Sequence, residues 1–370
     1  MLKFIGCIFI SKILVVGSNT RSLSKSLKAL GYTVYATSFF DVVDQYEYVD
    51  KLLVPEGAFI YDLRILEDLA LEYVNEVDYI ICNSDVDVSR FPRNKIIGNV
   101  DTDFINNKYK LFKLLHKNFL LPDTYKLTDI GEAGEIVANF PDKQFIVKPV
   151  YGSGGMGITW YNENLSVDGA FILQEFINGD SVSSSFLSYS NHDIEMITTS
   201  DQIIGSKRLG GADFKYCGNV TPYLKPSDKI VNISAKISMM CKLVGSNGVD
   251  FVLNNNNVYV IEVNPRIQGT FELVERSFNM NLAEAHINSC NNIHVEIPSV
   301  QQFSVKLIPY CLNNGYYDLS NIPFVHDISK QNYMFKKGEP LATIITSDRI
   351  LENAMSRSEQ VQKLVYNSKK

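Results

Sequence analysis

Residues 248–269 read GVDFVLNNNNVYVIEVNPRIQG: two apolar, β-branched runs separated by four asparagines, with Glu262, Asn264 and Arg266 at the far end. Valine, isoleucine and tyrosine favour a half-buried pleated surface and asparagine favours turns, so the stretch predicts a β-hairpin. Glu262 and Asn264 are two apart on one strand and share a face. One charged and one neutral oxygen ligand suit Mg²⁺ (or Mn²⁺), which takes few protein oxygens and fills its other positions with water and phosphate. Asp250 joins them only if it lies opposite Glu262, which demands that Asn254 pair with Val258 around a three-residue turn, Asn255 to Asn257. A four-residue NNNN loop would pair Asp250 with Ile261 and turn it to the other face. The competing reading is a solvated hairpin with incidental acids. Against it, Glu262 interrupts an apolar run and is followed closely by Arg266, which could hold a carboxylate or a developing negative charge.

Working upstream, residues 144–158 read QFIVKPVYGSGGMGI. Gly152, Gly154 and Gly157 satisfy G-x-G-x-x-G, but the β-prone ITWY follows, so pyrophosphate has no helix N-terminus to sit on and the dinucleotide reading fails. A strand, a glycine loop and a second strand instead form a flap whose bare N–H groups close over phosphates. Lys148 shares a strand face with Ile146, so its ammonium reaches the sheet edge or meets an anion. Residues 172–183, ILQEFINGDSVS, are a strand and a turn. An adenine needs a backbone donor and acceptor in an apolar slot and a ribose needs a nearby carboxylate; Glu175 to Ile177 and Asp180 could supply them. Taken alone, that segment is only a strand with a turn, and the plain reading is favoured.

The N-terminal region alternates strand and helix: Lys12–Gly17, a helix ending on Gly31, Thr33–Thr37, a helix over about 62–74, and Tyr79–Cys82. This pattern predicts an open parallel sheet. Its first turn, GSNTRS, lacks the glycines of a dinucleotide site. The basic helix NKYKLFKLLHKN opens a new unit, mainly antiparallel β, and residues 204–225 read as a long loop. The expected division is 1–104, Rossmann-like; 105–300, with a small lobe at about 120–180; and 301–370, an appended α+β unit with a frayed tail. The fold class is therefore α/β and α+β.

The chain has 370 residues, 45% hydrophobic, and its 35 Lys and Arg against 41 Asp and Glu leave a formal charge of -6. That excludes a mainly disordered chain and a general polycation, so no nucleic-acid partner is expected. Met1 to Ile10 is apolar but too short to span a bilayer, and no other stretch approaches 18 uninterrupted apolar residues, so no membrane partner is expected. The six cysteines lie far apart, which fits a reducing cytoplasm, and the five histidines are scattered. A homodimer is a common solution for soluble enzymes and stands as an expectation.

In order, these pieces are a lysine opening a helix (Lys108), V-K-P with a glycine loop, Q-E-F-I followed by G-D, V-D-F, and I-E-V-N-P-R. The combination resembles the ATP-grasp superfamily over roughly residues 11 to 300. Its closing E-V-N-P-R is similar to that of biotin carboxylase and carbamoyl-phosphate synthetase, and the whole resembles archaeal carboxylate–amine ligases of the tyramine–glutamate and pyrrolysine-pathway kind. The resemblance implies ATP held between two antiparallel lobes, with Lys108 and Lys148 on its phosphates and Gly152, Ser153, Gly154 and Gly155 in the flap. Gln174, Glu175, Phe176 and Ile177 would flank the adenine, Asp180 the ribose, and Asp250, Glu262 and Asn264 two Mg²⁺ ions.

The implied reaction joins a small carboxylic acid to an amine through an acyl phosphate, giving ADP and phosphate. Alternatives are a carboxylase or phosphotransferase of the same superfamily, or a non-catalytic ATP-binding regulatory protein. After Arg266 the chain reads IQGTFE, which departs from the glutamine, valine, glutamate, histidine run of biotin carboxylase and puts bicarbonate chemistry on biotin in doubt. Glu272 or Glu275 could substitute. Arg266 is assigned a catalytic role, and Lys207 and Arg208, with the loop GGADFKYCGN, are candidates for the acceptor pocket, against the reading that they form a solvated basic turn.

Overall fold

Short β-branched runs next to helix-stopping glycines set the N-terminal architecture. In the computed structural model, which describes residues 11–56, 61–152, 154–225 and 227–370, β1 (Lys12–Val16), α1 (Arg21–Ala29), β2 (Thr33–Thr37), β3 (Lys51–Leu53), α2 (Leu63–Leu71) and β4 (Tyr79–Cys82) form a parallel sheet in the order β3-β2-β1-β4. Gly31 closes α1 with φ of +87°, a left-handed conformation natural to glycine. The apolar stretch Met1 to Ile10 and Ser153 of the flap lie outside the described residues.

Two short helices, α3 (Asp103–Asn106) and α4 (Lys108–Leu115), lead into the small lobe; Asn107 caps α4 by accepting from the Lys110 N–H. β5 (Thr124–Leu127), α5 (Ile130–Ala138), β6 (Phe145–Pro149), β7 (Thr159–Trp160) and β8 (Phe171–Glu175) make an antiparallel sheet ordered β5-β8-β6-β7. Its core is Phe145, Val147, Phe171 and Leu173 under Ala133 of α5.

The large sheet is antiparallel and ordered β13-β12-β9-β10-β11-β14-β16-β15. Its members are β9 (Asp180–Ser188), β10 (Ile194–Ile204), β11 (Tyr216–Thr221), β12 (Gly245–Asn254), β13 (Asn257–Asn264), β14 (Phe303–Leu307), β15 (Val325–His326) and β16 (Thr343–Asp348). Helices α6 (Asp228–Cys241), α7 (Phe271–Phe278), α8 (Leu282–Cys290) and α9 (Leu351–Asn367) pack on it. The segment read as a long loop, 204–225, contains β11. Its polar and glycine residues hid a central strand, whose buried Cys217 and Val220 face the C-terminal core. Residues 301–370 continue this sheet through β14, β16 and β15. The tail expected to fray is held: Lys369 bridges to Tyr317, the Lys370 N–H donates to Tyr316 O at 2.9 Å, and its ammonium lies 3.0 Å from Asp318.

The N-terminal unit is riveted to the rest by Arg21. Its guanidinium is 3% exposed, donates twice to Glu272 of α7 at 3.1 and 2.8 Å, and reaches Asp327 at 2.7 Å. Among the described residues no helix is long and apolar enough to cross a membrane.

Candidate active site

The hairpin β12–β13 carries the acids, and its register departs from the sequence expectation in an instructive way. The turn is two residues, Asn255 and Asn256, with Asn254 opposite Asn257 and Leu253 opposite Val258. Continued regularly, this would place Asp250 opposite Ile261 and on the wrong face. A β-bulge between the Asp250 and Phe251 pairings absorbs one extra residue, and Asp250 pairs with Glu262 and Gly248 with Asn264. The expected pairing is present; the expected three-residue turn is not.

Asp250 accepts from Asn264 Nδ2 at 3.2 Å and from Gln202 Nε2 of β10 at 3.1 Å. Burial, and then the charge of Glu262, pushes its carboxyl up to about 6. A buried carboxyl raised by its neighbour's charge marks a site short of positive charge. Because the Asn264 nitrogen is turned toward Asp250, its oxygen is the atom left for a cation. Among the described residues no group of three or more His, Cys, Asp or Glu could hold a metal, so the donor set here is two carboxylates and an amide, which fits a hard divalent ion completed by phosphate and water.

Between the lobes lies a cleft of about 370 Å³, the size of a small-molecule site. Lys148 lines it, is 6% exposed, and its ammonium makes no ion pair or hydrogen bond with a described residue. Burial and the neighbouring Lys108 lower its pKa to about 8, the mark of a cation without its anion. Lys108 lines the same cleft. Its ammonium is 2.7 Å from Glu262 and 2.5 Å from the carbonyl of Gly152, tying the flap to the Glu262 carboxylate.

Gly152, Gly154 and Gly155 line the cleft. At Gly155, with φ of +76°, an added Cβ would stand 2.0 Å from the carbonyl oxygen of Phe214, so only glycine allows the flap to lie against that loop. Gln174, Glu175, Phe176 and Ile177 also line it. The Glu175 and Phe176 N–H groups are engaged inside the sheet, on Asp123 O and Gln144 O, and the Glu175 side chain holds Lys143 at 3.2 Å. That leaves Ile177 as the next N–H along the strand exit. Asp180 is exposed, accepts from Tyr223 at 3.3 Å and lies outside the cleft lining.

The remaining candidates do not converge. Arg266 donates to Asp85, in the loop after β4, at 2.5 Å, and so joins the N-terminal sheet to the hairpin. Lys207 and Arg208 sit on a short 3-10 turn and are exposed; Arg208 pairs with Glu359 of α9 at 2.5 Å, and neither lines the cleft. Glu272 is held by Arg21, and Glu275 accepts from Ser26 and from the Leu282 N–H, so both belong to the interdomain contact. Cys217 is fully buried and burial raises its thiol, as suits a bystander.

Sequence reasoning did not single out an aromatic triad in the cleft. Trp160 stands 4.8 Å from Phe176 and 5.1 Å from Phe214, ring centre to ring centre. Phe214 comes from the loop before β11, inside the GGADFKYCGN segment assigned to the acceptor pocket, and is far from Trp160 and Phe176 in sequence. Gln202 and Ser183, which hydrogen-bond Asp250, were equally silent, since each is one polar residue on a strand.

Comparison with known proteins agrees with this geometry. A family model described as the ATP-grasp domain matches residues 105–270. An uncharacterised protein of Methanocaldococcus jannaschii is 32% identical over 357 residues, 92% of this chain and 89% of that one. The tyramine–L-glutamate ligase of the same organism is 26% identical over 290 residues, 69% of this chain and 89% of the relative. Among solved structures, N5-carboxyaminoimidazole ribonucleotide synthetase from Thermotoga maritima superposes with a TM-score of 0.72 at 15% identity, over 95% of this chain and 98% of that one. The biotin carboxylase domain dimer of Hydrogenobacter thermophilus 2-oxoglutarate carboxylase, in complex with MgADP, gives 0.71 at 16%, over 97% and 90%. A relative matched along nearly its whole length and a domain model that spans both lobes lead to one conclusion: the chain belongs to the ATP-grasp family.

Proposed function

We propose that the protein is an ATP-dependent ligase that joins a small carboxylic acid to an amine, releasing ADP and phosphate. The observation that carries this reading is the meeting in one cleft of a buried ammonium without an ion-pair partner among the described residues, Lys148, and a buried carboxyl in the same position, Asp250, beside Glu262, which Lys108 holds. A nucleoside triphosphate with its divalent ions satisfies both. The 26% identity to a tyramine–L-glutamate ligase supports the carboxylate–amine class.

In this reading the base lies among Trp160, Phe176 and Phe214, and Lys148 and the flap glycines receive the phosphates. Asp250, Glu262 and Asn264 would hold Mg²⁺, which when bound neutralises phosphate charge. Lys108, bonded at once to Gly152 O and Glu262, holds the flap in register with the acids. A substrate carboxylate oxygen attacks the γ-phosphorus and ADP leaves. The amine then attacks the acyl carbon, phosphate departs, and the amine proton passes to solvent. The chain contributes alignment and exclusion of water, because a stray water in the cleft would hydrolyse the acyl phosphate.

The test is Mg²⁺-dependent ADP release by the purified chain with pooled carboxylic acids and amines, with mass spectrometry of products and Glu262→Gln as control. An amide formed by the wild type alone establishes the reading. A phosphorylated or carboxylated product, or ATP binding with no more ADP than the control, overturns it.

A further inference from the structure

Phe214 is the one member of the aromatic slot that comes from the loop before β11. Its ring centre lies 5.1 Å from that of Trp160 and 6.0 Å from that of Phe176, and it lines the cleft. The next residue faces the other way. The Lys215 ammonium donates to Gly338 O at 2.6 Å and stands 4.0 Å from the centre of the Tyr310 ring. Both partners belong to the C-terminal unit and are themselves fixed. The Gly338 N–H donates to Cys311 O at 2.8 Å, and Tyr310 holds the loop at two further points, its N–H on Leu209 O and its hydroxyl on Tyr216 O, each at 2.7 Å. Within the loop, the Gly205 N–H donates to Lys215 O at 2.8 Å and the Lys215 N–H to Ala212 O at 3.0 Å, so the loop closes on itself at its base.

Among the described residues Lys215 makes no ion pair; its charge is met by a carbonyl oxygen and the face of a ring. An unbranched apolar side chain would fill the same space without the cost of desolvating an ammonium. What the ammonium adds is direction, since two contacts with a packed unit fix the backbone at Lys215 and with it the adjoining Phe214. We propose that Lys215 is a positioning residue for the nucleotide, clamped between Gly338 and Tyr310 so that the C-terminal unit holds the Phe214 ring against the base. The inference rests on the reading of the cleft as a nucleotide site and is independent of the chemistry that follows binding.

The test is a double-mutant cycle on MgATP affinity, measured by titration calorimetry with wild type, Lys215→Met, Phe214→Ala and the double variant, and with Lys215→Arg as the conservative replacement. Expected is a Kd raised about 5- to 20-fold by Lys215→Met and largely restored by Lys215→Arg, which keeps both the hydrogen bond and the ring contact. In the Phe214→Ala background the same Lys215→Met change should move Kd by less than about twofold, because the ring it positions is gone. A Kd unchanged by Lys215→Met, or equal fold-changes in the two backgrounds, overturns the proposal; the second result is what a general loss of stability would give. A further measurement needs no nucleotide. Acrylamide quenching of Trp160, the single tryptophan, should rise about 1.5-fold or more in free Lys215→Met and return toward wild type in Lys215→Arg. Unchanged quenching overturns the proposal. If the wild type binds no ATP, the nucleotide reading of the cleft fails and the role of Lys215 fails with it, whereas binding without ligation leaves the cycle decisive and sinks the ligase reading alone.

Discussion

Asp250 faces Glu262 across β12 and β13 although the turn joining these strands is built in a register that would part them. The bulge that reconciles the two also brings Ile261 to the wall of the cleft. One added residue thus serves both the acids and the apolar slot.

Truncation of Ile261 to Ala removes apolar area from that wall and leaves the hairpin backbone in place. Nucleotide affinity is expected to fall by about 1–2 kcal/mol, and its dependence on Mg²⁺ to persist. Titration of MgATP and of ATP with excess chelator checks both halves.

Trp160 is the only tryptophan and stands in the cleft, so its fluorescence is a direct reporter of nucleotide binding. Phe214→Ala opens the aromatic triad from the side of the large lobe. The expected outcome is a Kd for ATP raised about 5- to 30-fold, corresponding to 1–2 kcal/mol of lost aromatic contact, with the thermal unfolding midpoint little changed because Phe214 is only partly buried.

Lys148 has a pKa of about 8 in the free protein against 10.5 for an ordinary lysine. Phosphate binding favours the ammonium and raises that value, so affinity for ATP is greatest below pH 8 and falls as pH rises through 8 toward 10. Lys148→Met should bind weakly with a flat profile over that window. Because the folded pKa is depressed, the charged lysine destabilises the free protein below pH 8, and the penalty vanishes as pH rises above the unfolded value. Lys148→Met is therefore expected to unfold at a higher temperature than wild type at pH 7, a difference absent near pH 11.

Gly155→Ala places a methyl group against the Phe214 carbonyl at a left-handed backbone position. The flap must retreat, and nucleotide affinity should fall about tenfold with a small change in stability, roughly 1 kcal/mol. Comparable affinity in this variant would show that the flap does not rest on the 205–216 loop.

Arg21→Met leaves Glu272 and Asp327 buried without their cation. Breaking a buried pair from one side costs about 3–5 kcal/mol, read as a lower denaturant midpoint. Arg208→Met is the contrast: its exposed pair with Glu359 should contribute about 0–1 kcal/mol, and ATP affinity should not move.

The chain's own order of residues determined the parallel N-terminal sheet, the antiparallel strands that follow it, the β12–β13 hairpin and the placing of Lys148 in an apolar strand. Each of these follows from a period-2 pattern, a turn composition or a charge set in an apolar run, and such signals are local. What tertiary structure decided is which separate segments share a space. Lys207 and Arg208 looked like acceptor residues by neighbourhood in sequence, but the left-handed Gly210 ends their turn and Arg208 meets α9 at the surface. Gln202 carries no motif and reaches the cleft because β10 is ordered beside β9 in one sheet, and Trp160, Phe176 and Phe214 share one space although they come from three separate segments. Strand order is set by nonlocal pairing, which depends on the whole chain folding, so no stretch of sequence records it.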